Sequence, residues 1–302
     1  MEPKVTVGMC VKNCAATIRE TLESIFNQDF PHELMELIVV DGNSKDETLS
    51  TITDYLREKK TEMQIRIFHE NKGLGYARQI VVENARGDYI VWVDGDMVLS
   101  KDYIKKQVEF MEQNPRVGIA KGKLPLKSLK NTVATLEMFS RAAKIILDCS
   151  SKNAHSKALG TSGCIYRAKA IRMAGGFDPH LKGYCEDWDA EIRVRAAGWL
   201  LKTIDVEYLD YERYGVSWKE LWKKYWLRGY YTHYFLHKHP GLIQHYRMFP
   251  PATFLAGLLH AHELFKLSRM KIVFLLPLQY LFKSVAWYMG FLVSHLHHYD
   301  RD

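Results

Sequence analysis

Tyr89-Ile90-Val91-Trp92-Val93-Asp94-Gly95-Asp96-Met97 is the stretch on which the reading of this chain turns. Five β-branched and aromatic residues, too few for a stable helix, run directly into two carboxylates separated by one glycine. That pattern predicts a buried strand with an acidic tip. Gly95 lets the backbone turn sharply, so Asp94 and Asp96 can aim their oxygens at one point beyond the strand's C-terminal end. Such a point suits Mg²⁺ or Mn²⁺, which bind one or two carboxylates together with water and the oxygens of a substrate diphosphate. An isolated Asp-Gly-Asp is more often a polar turn, so the reading rests on the segments around it.

Upstream, the pattern repeats. Residues 5–11 are apolar and partly β-branched, then comes Asn13, and Ile18, Leu22, Ile25 and Phe26 follow at helical spacing. A second apolar run, 37–40, ends on Asp41, Gly42, Asn43 and Ser44; Ser44 with Glu47 predicts a capping box for a helix carrying Leu49, Ile52, Tyr55 and Leu56. A third run, 65–68, leads into Asn71-Lys72-Gly73-Leu74-Gly75-Tyr76-Ala77-Arg78 and another helix. Strands and helices alternating at this interval predict a mostly parallel, doubly wound sheet with its ligand crevice beyond the strand ends. Asn13, Asp41, Arg78 and the acidic pair all fall on that edge. Arg78 stands where a dinucleotide fingerprint needs its third glycine, which excludes the dehydrogenase reading.

The 302 residues suffice for one large α/β domain or one domain with an appendage, and 47% hydrophobic with 25% charged residues is an ordered composition. A formal charge of +7 favours phosphate-bearing ligands or an anionic membrane surface without proving either. Cys10, Cys14, Cys149, Cys164 and Cys185 lack zinc-site spacing and read as reduced thiols of a cytosolic compartment. The first residues enter a strand directly, so no signal peptide is predicted.

Downstream, residues 101–111 read as a helix and 117–124 as a strand, after which the pattern is less regular. A small-residue loop, Leu159-Gly160-Thr161-Ser162-Gly163, precedes an apolar run; Gly175-Gly176-Phe177-Asp178-Pro179 is a turn; Glu186-Asp187-Trp188-Asp189 opens a helix. Acidic residues in a first helical turn commonly serve only the macrodipole, contributing ~0.3–1 kcal/mol each.

Taken together, these segments resemble a membrane-associated member of the family-two inverting glycosyltransferases of the GT-A fold. The resemblance covers residues 5–229 and is carried by Val-Lys-Asn ending at Asn13, Val-Asp-Gly-Asn-Ser-Lys-Asp at 40–46, the 71–78 segment, the 94–96 triplet, Gly-Gly-Phe-Asp at 175–178 and Glu-Asp-Trp-Asp at 186–189. It implies a doubly wound mixed α/β sheet, a nucleotide-sugar donor and a Mn²⁺ or Mg²⁺ ion. It also implies roles: Asn13 at the donor edge, Asp41 on the nucleotide base, Arg78 on the base or diphosphate, Asp94 on the ribose or metal, Asp96 on the metal, and Asp187 as catalytic base. Cys10 and Lys12 depart from the proline and tyrosine many members carry. No Gln-x-x-Arg-Trp string is present, which implies a non-processive enzyme with Arg228 or Lys224 at the diphosphate.

Departure of a sugar from a diphosphate builds positive charge at the anomeric carbon and negative charge on the leaving phosphate, so a cation is needed there. The acceptor hydroxyl loses its proton as it attacks, and a carboxylate on the opposite face can take it. Asp187 in that role predicts inversion. His155, His233, His237 and His239 read as packing or surface residues, and Cys185 as a buried thiol.

From residue 216, Trp218, Trp222, Tyr225 and Trp226 interleave with Lys219, Lys223, Lys224 and Arg228, and two apolar runs follow, 249–265 and 272–296, the second interrupted by Pro277 and Lys283. Aromatic and basic residues beside apolar helices suit a membrane interface. The expectation is a catalytic domain at 1–215 and a membrane-associated helical region at 216–302, with Lys266, Arg269 and Lys271 keeping catalysis on the cytoplasmic face. A glycan or a lipid-linked molecule such as a polyprenyl phosphate is the expected acceptor, and no nucleic acid is expected as partner. The rival readings are a sugar nucleotidyltransferase, which needs a glycine-rich loop after the first strand where this chain has Lys12-Asn13-Cys14-Ala15, and a non-catalytic nucleotide- or lipid-binding scaffold.

Overall fold

The computed structural model describes residues 2–59, 61–124, 126, 129, 131–143, 159–210, 216–241 and 249–297. The chain divides into two compact units, one made of Met1–Pro125 with Asn153–Tyr211, the other of Leu126–Lys152 with Glu212–Asp302.

The first unit alternates strands and helices: β1 (Val5–Val11), α1 (Ile18–Phe26), β2 (Met35–Asp41), α2 (Thr48–Glu58), β3 (Gln64–His69), α3 (Leu74–Asn84), β4 (Tyr89–Trp92), β5 (Met97–Leu99), α4 (Tyr103–Gln113) and β6 (Val117–Lys123). After the helix α5 (Thr132–Ala143), which belongs to the other unit, come β7 (Cys164–Arg167), α6 (Ala168–Met173), α7 (Glu186–Ala196) and β8 (Leu200–Asp210). The strands lie in the order β3-β2-β1-β4-β7-β6-β8-β5. The first four are parallel, β7 runs antiparallel between β4 and β6, and β5 closes the far edge antiparallel to β8. This is the mixed sheet the resemblance implies. Every residue of β1, β2 and β4 is buried or nearly so, as a strand covered by helices on both faces requires. Val7, Leu37, Val39 and Val91 are fully enclosed, each worth ~1.5–3 kcal/mol.

The expected capping box at Ser44 and Glu47 does not form. Helix α2 starts at Thr48 without a side-chain cap at Glu47. Ser44 is drawn back instead: its N–H donates to Asp41 and its hydroxyl accepts from the Asn13 N–H at 3.0 Å. Strands β5 and β8, absent from the sequence reading, depend on pairing between distant segments: β8 runs parallel to β6, with Val117 opposite Leu200, and the three-residue β5 pairs with the end of β8, with Val98 opposite Leu209.

The second unit is helical, with α5, α8 (Trp218–Lys238), α9 (Pro250–Ser268) and α10 (Leu276–Leu296). Leu136 and Phe139 pack with Leu264, Val273 and Leu276. A capping box does form here: the Ser217 hydroxyl accepts from the Glu220 N–H at 3.2 Å, and the Glu220 carboxylate accepts from the Ser217 N–H at 2.7 Å. Pro277 does not interrupt α10 but lies in its first turn, where a missing N–H leaves no intrahelical bond unmade. Lys283 lies inside the helix, and its ammonium donates to Glu137 of α5 at 3.0 Å. Helices α8 and α10 touch backbone to backbone. A Cβ on Gly229 would stand 1.9 Å from the Trp287 carbonyl oxygen, and one on Gly290 would stand 1.9 Å from that of Trp226. Residues Lys271–Leu296 are long and apolar enough to cross a membrane by length and composition, although 44% of their most apolar window is buried within the protein.

Candidate active site

Strand β4 delivers Asp94 to the end of the sheet, and the turn that follows presents Asp96. The Met97 N–H closes this turn on the Asp94 carbonyl at 3.1 Å. Helix α1 pins it, because the Gly95 carbonyl accepts the hydroxyls of Thr17 at 2.8 Å and Thr21 at 3.1 Å. A side chain at Gly95 has no room, since its Cβ would stand 2.5 Å from Cys14 Sγ. Both carboxylates are half-buried. Among the described residues no group of three or more His, Cys, Asp or Glu could hold a metal by itself. Two hard oxygen donors at a fixed tip therefore fit an ion that completes its shell with water and substrate oxygens. Asp94 Oδ2 also accepts from the Ser162 hydroxyl.

Asp41 ends β2 with its carboxylate buried; it accepts the Ser44 N–H and lies 3.7 Å from His69 Nδ1. Asn13, in the left-handed region at φ 51°, accepts the Lys45 N–H at 2.8 Å and so ties the end of β1 to the same loop.

Arg78 rises from α3 into the interior and pairs with Glu186 at the start of α7. Its guanidinium lies 5.9 Å from the centre of the Phe177 ring. Burial opposes the Arg78 charge, but Glu186, Asp187 and Asp94 outweigh it and hold the guanidinium above its ordinary pKa. The glycines before Arg78 make this approach possible. A Cβ on Gly73 would stand 2.4 Å from the Lys182 carbonyl oxygen, and one on Gly75 would stand 2.3 Å from that of Asp178. In their absence the Leu74 N–H donates to Lys182 at 2.9 Å, and Gln79 accepts the Phe177 N–H at 2.7 Å. Two sequence motifs a hundred residues apart thus dock as one piece. Burial, with Asp94, Glu70 and Glu186 adding to it against Arg78, pushes the Cys10 thiol up to about 12, which disfavours its thiolate.

Asp187 stands in the first turn of α7, with Oδ1 accepting the Trp188 N–H at 2.7 Å. Its other oxygen faces Gly160, whose Cβ would lie 3.3 Å away. Asp187 and Asp94 therefore border one short loop, the first at Gly160 and the second at Ser162. That loop is anchored where the Gly163 N–H donates to Trp92 and the Gly163 carbonyl accepts from Tyr103 at 2.7 Å. The geometry gathers Asp94, Arg78, Glu186 and Asp187. Arg228 belongs to the helical unit, where its guanidinium stacks 5.2 Å from the Tyr225 ring centre.

Cys185, which precedes α7 in a left-handed conformation at φ 70°, is half-buried rather than fully buried. His233 is buried, its Nε2 3.0 Å from His295 Nδ1 across α8 and α10. Cys149 and His155 lie outside the described residues. Sequence reasoning missed Thr17, Thr21, Ser162 and the partner role of Glu186; the one available signal was the run of small polar residues in the 159–163 loop.

The mixed sheet, with an acidic turn at the end of its fourth strand and a second acidic helix start beside it, is a GT-A glycosyltransferase fold. Residues 6–173 match the profile of glycosyl transferase family 2, more than half of the chain, and the chain belongs to that family. Among solved structures it is similar to the mannosyltransferase PcManGT from Pyrobaculum calidifontis in complex with GDP-Man and Mn²⁺, with TM-score 0.70 and 18% identity over 97% of this chain and 88% of the other. It is also similar to residues 1–349 of TarS from S. aureus in complex with UDP-GlcNAc, with TM-score 0.53 and 16% identity over 97% and 92%. An uncharacterized glycosyltransferase of Haemophilus influenzae is 31% identical over 112 residues, 37% of this chain. That match spans 44% of the relative's length.

Proposed function

We propose that this chain is a metal-dependent, inverting glycosyltransferase that moves a sugar from a nucleoside diphosphate to an acceptor hydroxyl. The observation that carries the reading is the loop shared by Asp94 and Asp187, with Arg78 held in the field of both. Asp41 and Asn13 line the base end of the donor. Arg78 offers its charge to the base or diphosphate, and Arg228 or Lys224 would meet the diphosphate. Asp94 and Asp96 would hold Mn²⁺ or Mg²⁺, whose contribution when bound is to neutralise charge on the departing diphosphate. Asp187 takes the proton of the acceptor hydroxyl as its oxygen bonds to the anomeric carbon and the bond to phosphate breaks on the opposite face. Such a positioned base is typically worth ~10²–10⁴ in rate.

Catalysis is assigned to the region 1–215 and membrane contact to 216–302. Leu278, Val285, Met289, Leu292 and Leu296 lie on one face of α10 and are exposed, with Leu255, Leu258 and Leu259 exposed on α9. Lys266, Arg269 and Lys271 are exposed at the turn between these helices. An apolar face flanked by cations suits an anionic membrane surface on the cytoplasmic side, and with it a lipid-linked glycan or polyprenyl phosphate as acceptor.

The test uses UDP-GlcNAc and GDP-Man as donors with MnCl₂ or MgCl₂, in the presence of lipid extract. Asp187→Asn is expected to abolish sugar transfer while leaving nucleotide affinity within about twofold, as loss of a group that acts only in the transition state requires. Full transfer by this variant removes Asp187 from the mechanism.

A further inference from the structure

One helical turn beyond Asp187, the carboxylate of Glu191 is fully buried. Its two oxygens accept the backbone N–H groups of Leu159 and Gly160, each at 2.7 Å. On the other side of Gly160, at the next peptide, the buried ammonium of Lys121 donates to the Gly160 carbonyl at 3.2 Å. Cys164 Sγ contacts that carbonyl as well, at 2.7 Å. Gly160 itself is left-handed at φ 76°, the conformation that turns its hydrogen-only face toward Asp187 Oδ2. A buried carboxylate gripping two consecutive N–H groups is a strong, charge-assisted contact, and a glutamine cannot replace it, because its NH₂ would face an N–H donor.

We propose that Glu191 is a positioning residue which, with Lys121, clamps the Leu159–Gly160 backbone against Asp187 and so fixes the orientation of that acid. The inference rests on the assignment of Asp187 as catalytic base. Glu191 acts through Gly160 and touches no reacting atom. The clamp has a protonation state. Burial and the Asp187 charge push the Glu191 carboxyl up to about 7, against the two N–H donors and Arg195, which lies 3.8 Å away. The other titratable groups around it are Lys121 on β6, and Cys164 and Tyr166 on β7. Only the ionised form offers an acceptor to both N–H groups, so the grip tightens as pH rises through about 7.

The experiment follows the Gly160 amide by ¹H–¹⁵N NMR from pH 5.5 to 8.5 in the full chain, its Asp187→Asn variant and its Glu191→Gln variant. It adds initial rates of UDP-GlcNAc and GDP-Man hydrolysis with MnCl₂. In the unmodified chain the Gly160 resonance titrates with a midpoint near 7; in Asp187→Asn the midpoint moves down, because a negative neighbour is gone; in Glu191→Gln it vanishes. Glu191→Gln also lowers kcat by up to about 100-fold with KM within about twofold, and it removes the fall in kcat below pH 7. A Gly160 resonance that is flat across this range in the unmodified chain overturns the proposal, and that measurement stands if Glu191→Gln fails to fold. Unchanged kcat, or an unchanged acid limb, in a folded Glu191→Gln overturns it as well. If Asp187→Asn keeps hydrolysing donor while the Gly160 titration is present, it is the base assignment that fails.

Discussion

Arg78 and Glu186 form an ion pair in which both side chains are buried, joining α3 to the first turn of α7. Removing one member leaves the other charge stranded in a low-dielectric interior. Glu186→Ala is therefore expected to destabilise the fold by ~3–5 kcal/mol, read as a shift of the urea midpoint at unchanged slope. The double change Arg78→Met with Glu186→Leu should recover most of that stability, since a packed apolar pair needs no compensation. It should not recover binding of UDP or GDP in titration calorimetry. Nucleotide binding at the wild-type level in the double variant would show that the pair is purely structural.

The grip of Thr17 and Thr21 on the Gly95 carbonyl makes a separate prediction. Thr17→Val and Thr21→Val each remove a hydroxyl shared between the Gly95 carbonyl and a carbonyl of its own helix start, worth ~1 kcal/mol of stability. Because they free the turn that carries Asp94 and Asp96, they should weaken Mn²⁺-dependent UDP or GDP binding by about 10-fold or more. Gly95→Ala should do the same by collision with Cys14, and adding Cys14→Ala should restore part of the affinity. Calorimetry with and without MnCl₂ separates this from an effect on the nucleotide alone.

Stability should fall, not rise, across mild acid to neutral pH on account of Glu191. In the unfolded chain this carboxyl loses its proton near its ordinary value of 4.5, and in the folded chain only near about 7. Between those values the folded state holds the extra proton, so the contribution declines as pH increases and levels off above 7. The full effect is on the order of 3 kcal/mol. Urea unfolding at pH 5 and pH 8 checks it: Glu191→Gln should lose less stability over that interval than the unmodified chain.

The exposed faces of α9 and α10 predict retention on vesicles of phosphatidylcholine with phosphatidylglycerol. Met289→Asp with Leu292→Asp should release the protein into the supernatant on sedimentation. Neutralising Lys266, Arg269 and Lys271 should weaken retention by about fivefold per charge, consistent with ~1 kcal/mol each, and only on anionic vesicles. Retention unaffected by either set would exclude these faces as the contact.

Most of the first unit was legible because its strands are local objects: 5–11, 37–40, 65–68 and 89–93 are each apolar enough to be read alone, and they lead on to Asn13, Asp41, Arg78 and Asp94. The capping box at Ser44 was not legible, because the outcome depended on Asn13 and Asp41, which compete for the same serine from other elements. β5 is three residues long, and it and β8 are strands partly through pairing with each other, which no window along the chain reveals. The site shows the same division. Its carboxylates announce themselves at the ends of strands and helices. What holds them does not: Ser162 and Glu191 are ordinary residues until folding brings a loop and a helix together.

The backbone contact of Gly229 with Trp287 and of Gly290 with Trp226 leaves no side chain between α8 and α10 at these two crossing points. Two rods seated this closely cannot slip or roll independently, so they behave as one beam. Lys223, Lys224 and Arg228 ride on that beam with the leucines of α10. Any tilt imposed on α10 is thereby handed to the row of cations on α8.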